Sequence, residues 1–336
     1  MRHHTARGAR ARRFLVIALL LLAAPLMPEV WAEAPGKVQR LGVLGLGGAE
    51  DIAPQVEALR TGLRDLGYIE GKNLVIEFRW VPTLEEMQRA AVELARMKVD
   101  VIFATSSTEV ERARQATKTI PIVFATHADP VGVGHVSSLA RPGGNATGLA
   151  IMQSVVTAKR LEILKETVPQ VSRFGVLLDR AAPSYRPFLQ AAEEARGKLG
   201  VQLRPVEVST TADYGRAFAT LAQDHVGGVI VHATTQTARD HPRLLAELAL
   251  KHRLPTMFGA RQNVVVGGLM SYAPDATDQW RRAAVYIDKI LKGANPGDLP
   301  VDQASKYQLV INRKTATALG LTIPPSLLVR ADEVLD

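Results

Sequence analysis

The chain has 336 residues, 41 lysines and arginines against 33 aspartates and glutamates, and no cysteine. Its length favours two domains over one and leaves room for a sizeable core. Absence of cysteine excludes disulfides and an N-terminal lipid-modified cysteine, so the fold must rest on packing.

Much of the positive charge lies at the start. Arg2, Arg7, Arg10, Arg12 and Arg13 precede an apolar run at 14–27, and Val30-Trp31-Ala32 offers a small-residue cleavage site. That layout predicts a secretory signal peptide over 1–32 and a periplasmic mature protein. The mature chain keeps 36 basic and 32 acidic residues, a net charge of +4. No lysine-arginine stripe remains to suggest nucleic acid.

In the mature chain, 38–46 reads as a strand ending at Gly47-Gly48, 54–66 as a helix with apolar positions at Val56, Leu59, Leu63 and Leu66, and 74–80 as a second strand. An amphipathic helix follows at 84–97. Two apolar runs, 101–105 and 122–126, each end in Phe-Ala-Thr and flank a helix predicted over 109–118, with Thr108 and Glu111 forming its capping box. Strands joined by one helix run parallel, so both polar loops emerge at one sheet edge. Ligands of open parallel sheets bind at that edge.

The stretch 141–148, RPGGNATG, reads as a crossing between lobes. The pattern then resumes with helices predicted at 158–167, 185–198, 214–222 and 239–252 and strands at 174–178, 202–208, 229–231 and 256–258. A second crossing is predicted at 261–268, a helix at 277–291, a third crossing at 301–306, a strand at 309–312 and a helix at 314–319. The predicted fold is therefore α/β, two Rossmann-like doubly wound parallel-sheet lobes joined by a hinge. Lobe 1 takes residues 37–147 and 269–300; lobe 2 takes 148–260 and 307–336.

Cofactor chemistry finds no support. Gly45, Gly47 and Gly48 lack the third glycine of a dinucleotide fingerprint, the histidines show no paired metal-ligand spacing, and no Gly-x-Ser-x-Gly elbow presents a nucleophile. No cofactor and no metal are expected, and the protein is not expected to be an enzyme. Ser106, Ser107 and Thr108 bring three hydroxyls and a helix start to the sheet edge, which suits a carboxylate, although capping alone would also place them there. Gly47, Thr126, His127 and Asp129 belong to the same edge; Asp129 can meet an ammonium group or cap a turn. Asp179, Thr234, Thr235 and Gly259 end strands of the second lobe and face the first. Tyr272 is positioned to stack on a flat ligand, whereas Trp80 reads as packing.

The blocks Gly62–Asn73, Ile120–Ala125, Ser138–Gly148, Gly267–Tyr272 and Ile323–Leu327 with Arg330-Ala331-Asp332 closely resemble ABC-transporter substrate-binding proteins of the tryptophan/tyrosine-binding type. The resemblance spans essentially the whole mature chain. It implies a type I periplasmic-binding-protein fold, no catalysis, and a monomer that delivers a small solute to a membrane permease driven by a separate ATPase. It also implies that the loop of Ser106–Thr108 takes a carboxylate, with the loop of Thr126–Asp129 beside it. Thr234, Asn263 and Val265 depart from the residues expected there, leaving a carboxylate or amide solute other than an aromatic amino acid open. A ligand-sensing subunit of a membrane receptor system is the alternative reading.

Overall fold

The computed structural model describes residues 37–48, 52–151, 153–180, 182, 184–232 and 241–336. Its first half alternates β1 (Gln39–Leu46), α1 (Ala53–Asp65), β2 (Leu74–Val81), α2 (Leu84–Arg96), β3 (Val101–Ser106), α3 (Ser107–Ala116), β4 (Ile122–His127) and β5 (Ala146–Ala150). These strands and the short β11 (Asp302–Gln303) form a six-stranded parallel sheet in the order β11-β5-β4-β3-β1-β2.

Every residue of β3 is buried, as expected of a strand covered on both faces. Met87, Ala91 and Leu94 of α2 join Val110 and Ala113 of α3 on one face of the sheet. Leu59 and Leu63 of α1 cover the other face. Burying each large apolar side chain contributes about 1.5–3 kcal/mol relative to leaving it in water. Local signals agree with this layout: Thr83 caps α2 by accepting from the Glu86 N–H at 3.2 Å, and Glu85 and Glu86 face the positive helix end.

The second sheet, β13-β12-β10-β9-β8-β6-β7, is parallel except where β10 meets β12. It comprises β6 (Arg173–Asp179), β7 (Gln202–Val208), β8 (Val229–Val231), β9 (Thr256–Phe258), β10 (Met270–Pro274), β12 (Tyr307–Asn312) and β13 (Glu333–Leu335). One face carries α4 (Gln153–Thr167) and α5 (Tyr185–Leu199); the other carries α6 (Asp213–Gln223) and α7 (Pro242–Lys251). The helices α8 (Arg261–Val265), α9 (Ala276–Leu291), α10 (Arg313–Leu319) and α11 (Pro325–Arg330) complete the described chain. The doubly wound two-sheet architecture is the one the sequence predicts.

Three placements differ from the sequence reading. The stretch 141–148 does not cross between lobes; its last residues open β5, which pairs with β4 from Ile122↔Ala146. Gly148 makes this possible, because its φ is +145° and a Cβ there would stand 2.1 Å from the Phe124 carbonyl oxygen. The crossing comes after Ala150. Likewise 261–268 is not a crossing but contains α8 and returns the chain to β10, beside β9 in the same sheet. Met270–Pro274 therefore belongs to the second sheet, not to lobe 1, and the chain crosses back at Asp275. That residue caps α9, its carboxylate accepting from the Thr277 and Asp278 N–H groups at 3.0 and 3.1 Å. Helix α9 then packs Trp280, Ala283, Ala284 and Ile287 against α1 and the first sheet. The last crossing runs from β11 to β12 at 304–306.

The third difference concerns α3, which starts two residues earlier than predicted. Thr108 lies inside it and Ser106 is the N-cap. Glu111 does not reach back to Thr108; it accepts from Gln115 at 2.7 Å and meets His135. Ser106-x-x-Glu109 has the same spacing, but the Ser106 side chain caps no N–H of the helix; its hydroxyl donates to the Glu109 carboxylate instead.

Candidate ligand-binding cleft

A cleft of about 550 Å³ lies between the lobes, large enough for one small organic ligand. The first lobe lines it with the carboxyl ends of β1, β3 and β4, at Gly47, Thr105, Ser106 and Thr126. The second lobe contributes Arg160 of α4, Gly259 after β9, Asn263 of α8 and Ser271 of β10. Trp280 of α9 forms an apolar wall, its ring 4.9 Å from Phe103 edge-on and 6.4 Å from Trp80 in a stack. Trp80 itself lies over Gly45, where a Cβ would sit 1.8 Å from its ring, and so serves packing as the sequence reading held.

On the first wall the hydroxyl protons point inward. Ser106 donates to the Glu109 carboxylate, and Thr126 donates to the Thr105 carbonyl at 2.6 Å. Behind them runs a buried polar chain. The Ser107 hydroxyl accepts from the Ala128 N–H at 2.9 Å and meets His127 Nδ1 at 3.3 Å. His127 Nε2 meets His135 Nδ1 at 2.7 Å, and His135 Nε2 meets Glu111 at 2.5 Å. Burial drives the His127 pKa well below 6.5, and it lowers that of His135 despite the pull of Glu111. Both rings are neutral at pH 7.

The second wall differs. Arg160 is 2% exposed, its Nε donating to the Tyr272 carbonyl at 2.7 Å and its Nη2 approaching the Gly259 carbonyl at 3.5 Å. Among the described residues no carboxylate stands within ion-pair distance of it. Burial lowers its pKa to about 10, so it stays charged at pH 7. Nearby, burial first and the Arg160 charge second push His232 down to about 3, leaving that ring neutral. Arg261, also on the cleft wall, has its own counter-ion in Glu333, with both contacts at 2.6 Å. Ser271 Oγ and Asn263 Nδ2 are buried without a hydrogen-bond partner among the described residues.

Of the residues singled out by sequence, Gly47, Ser106, Thr126 and Gly259 line the cleft. Ser107 and His127 are buried behind its first wall and bonded to one another. Thr108 lies within α3 and does not line the cleft. Asp129 lines a separate groove with Ser138 and Glu194, and its carboxylate accepts from the Gly132 N–H at 2.8 Å, a turn cap. Asp179 is buried at the end of β6, away from the cleft lining. The Tyr272 ring stacks on Tyr307 at 5.5 Å, while its neighbours Ser271 and Ala273 face the cleft. Thr234 and Thr235 lie outside the described residues.

Sequence reasoning passed over Arg160, Ser271 and Trp280 as ligand residues and met Asn263 only as a departure from the residue the resemblance leads one to expect. For Arg160 a signal existed: Thr157, Arg160, Leu164 and Thr167 fall at the spacing of one helix face, and all four are buried. A charge on an otherwise inward face marks a group held for a purpose. Among the described residues no cluster of three or more metal-ligating side chains occurs, and no helix is long and apolar enough to cross a membrane.

Comparison with known proteins adds a family. A curated tyrosine-binding protein of Clostridioides difficile is 26% identical over 262 residues, covering 77% of this chain and 74% of its own. Among solved structures, a conserved domain protein from Vibrio cholerae superposes with a TM-score of 0.83 at 27% identity, covering 89% of this chain and all of that one. An ABC domain from Streptococcus pneumonia, crystallised in complex with L-Trp, superposes with a TM-score of 0.82 at 25% identity, covering 88% and 99%. The family described as ABC transporter substrate binding protein matches residues 50–335, and the chain belongs to that family.

Proposed function

We propose that this protein is the solute-binding component of an ABC importer, exported to the periplasm through loss of residues 1–32. It closes two lobes over one small carboxylate-bearing solute, an amino acid or a close analogue, and presents it to a membrane permease powered by a separate ATPase. The observation that carries this reading is a cleft whose two walls come from different sheets and which holds a buried arginine with no counter-ion among the described residues. A buried charge of that kind is costly until an anion reaches it. The two relatives that bind tyrosine and L-Trp support an amino-acid solute.

Micromolar binding requires about 8 kcal/mol. A charge-assisted hydrogen bond contributes about 1.5–3 kcal/mol, so neither wall suffices and closure must recruit both. The transporter can distinguish loaded from empty protein only if the solute binds the closed form more tightly. Trp280 lies on the cleft wall and reports occupancy. Titrating the purified mature protein with the standard amino acids, read by tryptophan fluorescence and melting temperature, should identify at least one that shifts both. Failure of every amino acid and small carboxylate to shift either signal would remove the proposal.

A further inference from the structure

Hydrogen-bonding capacity is divided unequally between the two walls. On the first, Ser106 and Thr126 have spent their hydroxyl protons on Glu109 and on the Thr105 carbonyl. What they offer the cleft is lone pairs. A serine or threonine hydroxyl has one proton and two acceptor sites, so a committed proton turns it into an acceptor. The helix start beneath Ser106 also holds the buried Glu109 side chain, which weakens the case for an anion there. On the second wall the situation is reversed. The Arg160 guanidinium can only donate, the free Asn263 amide nitrogen can only donate, and the Ser271 hydroxyl retains its proton. All three side chains belong to residues less than a tenth exposed.

The geometry points to a zwitterionic solute held in one orientation, its carboxylate on the second lobe at Arg160, Ser271 and Asn263 and its ammonium on the first lobe at Ser106 and Thr126. This rests on the solute-binding reading and specifies it; it reverses the expectation that the Ser106–Thr108 loop takes the carboxylate. It also makes Arg160 and Ser106 specificity-determining residues for opposite ends of one ligand. A ligand so placed spans the cleft, and each lobe satisfies a charge that the other would repel or leave unpaired.

The test is a binding cycle by calorimetry on the full mature chain. Its probes are the tightest-binding standard amino acid, that amino acid's carboxamide and its des-amino acid. Wild-type protein should lose on the order of tenfold or more for either analogue, the range of one charge-assisted contact. In Arg160→Gln the carboxamide penalty should collapse to within about threefold while the des-amino penalty persists. Ser106→Ala should show the converse. Ser271→Ala, a smaller change, should halve or better the carboxamide penalty and keeps the test alive if Arg160→Gln does not fold. Wild-type binding with a carboxamide penalty that survives both Arg160→Gln and Ser271→Ala, or vanishes instead in Ser106→Ala, overturns the orientation alone. Absence of any amino-acid binding to wild type overturns the solute-binding reading and the orientation with it.

Discussion

Each lobe buries a polar cluster at the cleft, the first behind its wall and the second on it, and the two are built to opposite rules. In the first lobe Ser107, His127, His135 and Glu111 pass from one hydrogen bond to the next until the chain ends at a half-exposed carboxylate. In the second, among the described residues, Arg160 meets carbonyl oxygens and no carboxylate, and Ser271 and Asn263 keep unfilled donors. A satisfied buried network holds a fold in register; an unsatisfied one costs free energy that must be recovered on binding. The comparison separates residues that shape the cleft from residues that await its occupant.

The contrast can be broken most severely from the first lobe. His127→Ala removes a fully buried ring and strands the groups on either side of it, and should destabilise the protein by about 2–4 kcal/mol. Thermal unfolding should show a drop of roughly 5 °C or more, whereas affinity measured well below the melting point should stay within about threefold of wild type. Arg160→Gln should invert that pattern, with affinity for the solute reduced by about 2 kcal/mol if that solute carries the proposed carboxylate, and a melting temperature closer to wild type than that of His127→Ala. If both variants lose stability alike and binding alike, the division between the clusters is wrong.

Acid provides a gentler probe. Burial holds His127 and His135 below the ordinary histidine value in the folded protein, so between that lowered value and about 6.5 the unfolded chain binds protons that the folded chain refuses. Their contribution to stability is fully present above about pH 6.5 and is lost as pH falls below it. Melting temperatures recorded from pH 7.5 down to 5.5 should decline, and the decline should be shallower in a His135→Gln variant. The smallest effect is expected at Asp129, which caps a turn outside the cleft. Asp129→Asn should alter stability by less than about 1 kcal/mol and leave the calorimetric affinity unchanged.

Much of this architecture was readable because strands covered on both faces announce themselves as apolar runs. The segments ending at Ser106 and His127 did so, and they carried Ser106 and Thr126 to the cleft edge. Arg160 escaped because its surroundings, Lys159, Glu162, Lys165 and Glu166, read as a solvated helical surface. Only the packing of α4 on the second sheet decides which of those charges turns inward. The strand at Ala146–Ala150 was hidden by its own glycine, a residue that usually marks a turn but here lets β5 approach Phe124. The start of α3 was ambiguous for a different reason: Ser106-x-x-Glu109 and Thr108-x-x-Glu111 share one spacing, and the length of β3 puts the N-cap at Ser106 although neither pair forms a capping box.

The return of the chain at Asp275 has a consequence for the order of folding. Five of the six strands of the first sheet come from residues 39–150, yet its edge strand β11 lies at Asp302–Gln303 and one side of the sheet is sealed by Trp280, Ala283, Ala284 and Ile287. A nascent chain emerging from the ribosome therefore carries an open, greasy half-structure until roughly nine-tenths of its length has been made. The second sheet, by contrast, is built and covered wholly by residues that follow the first crossing, so a cut there would strip only the first sheet of part of its cover.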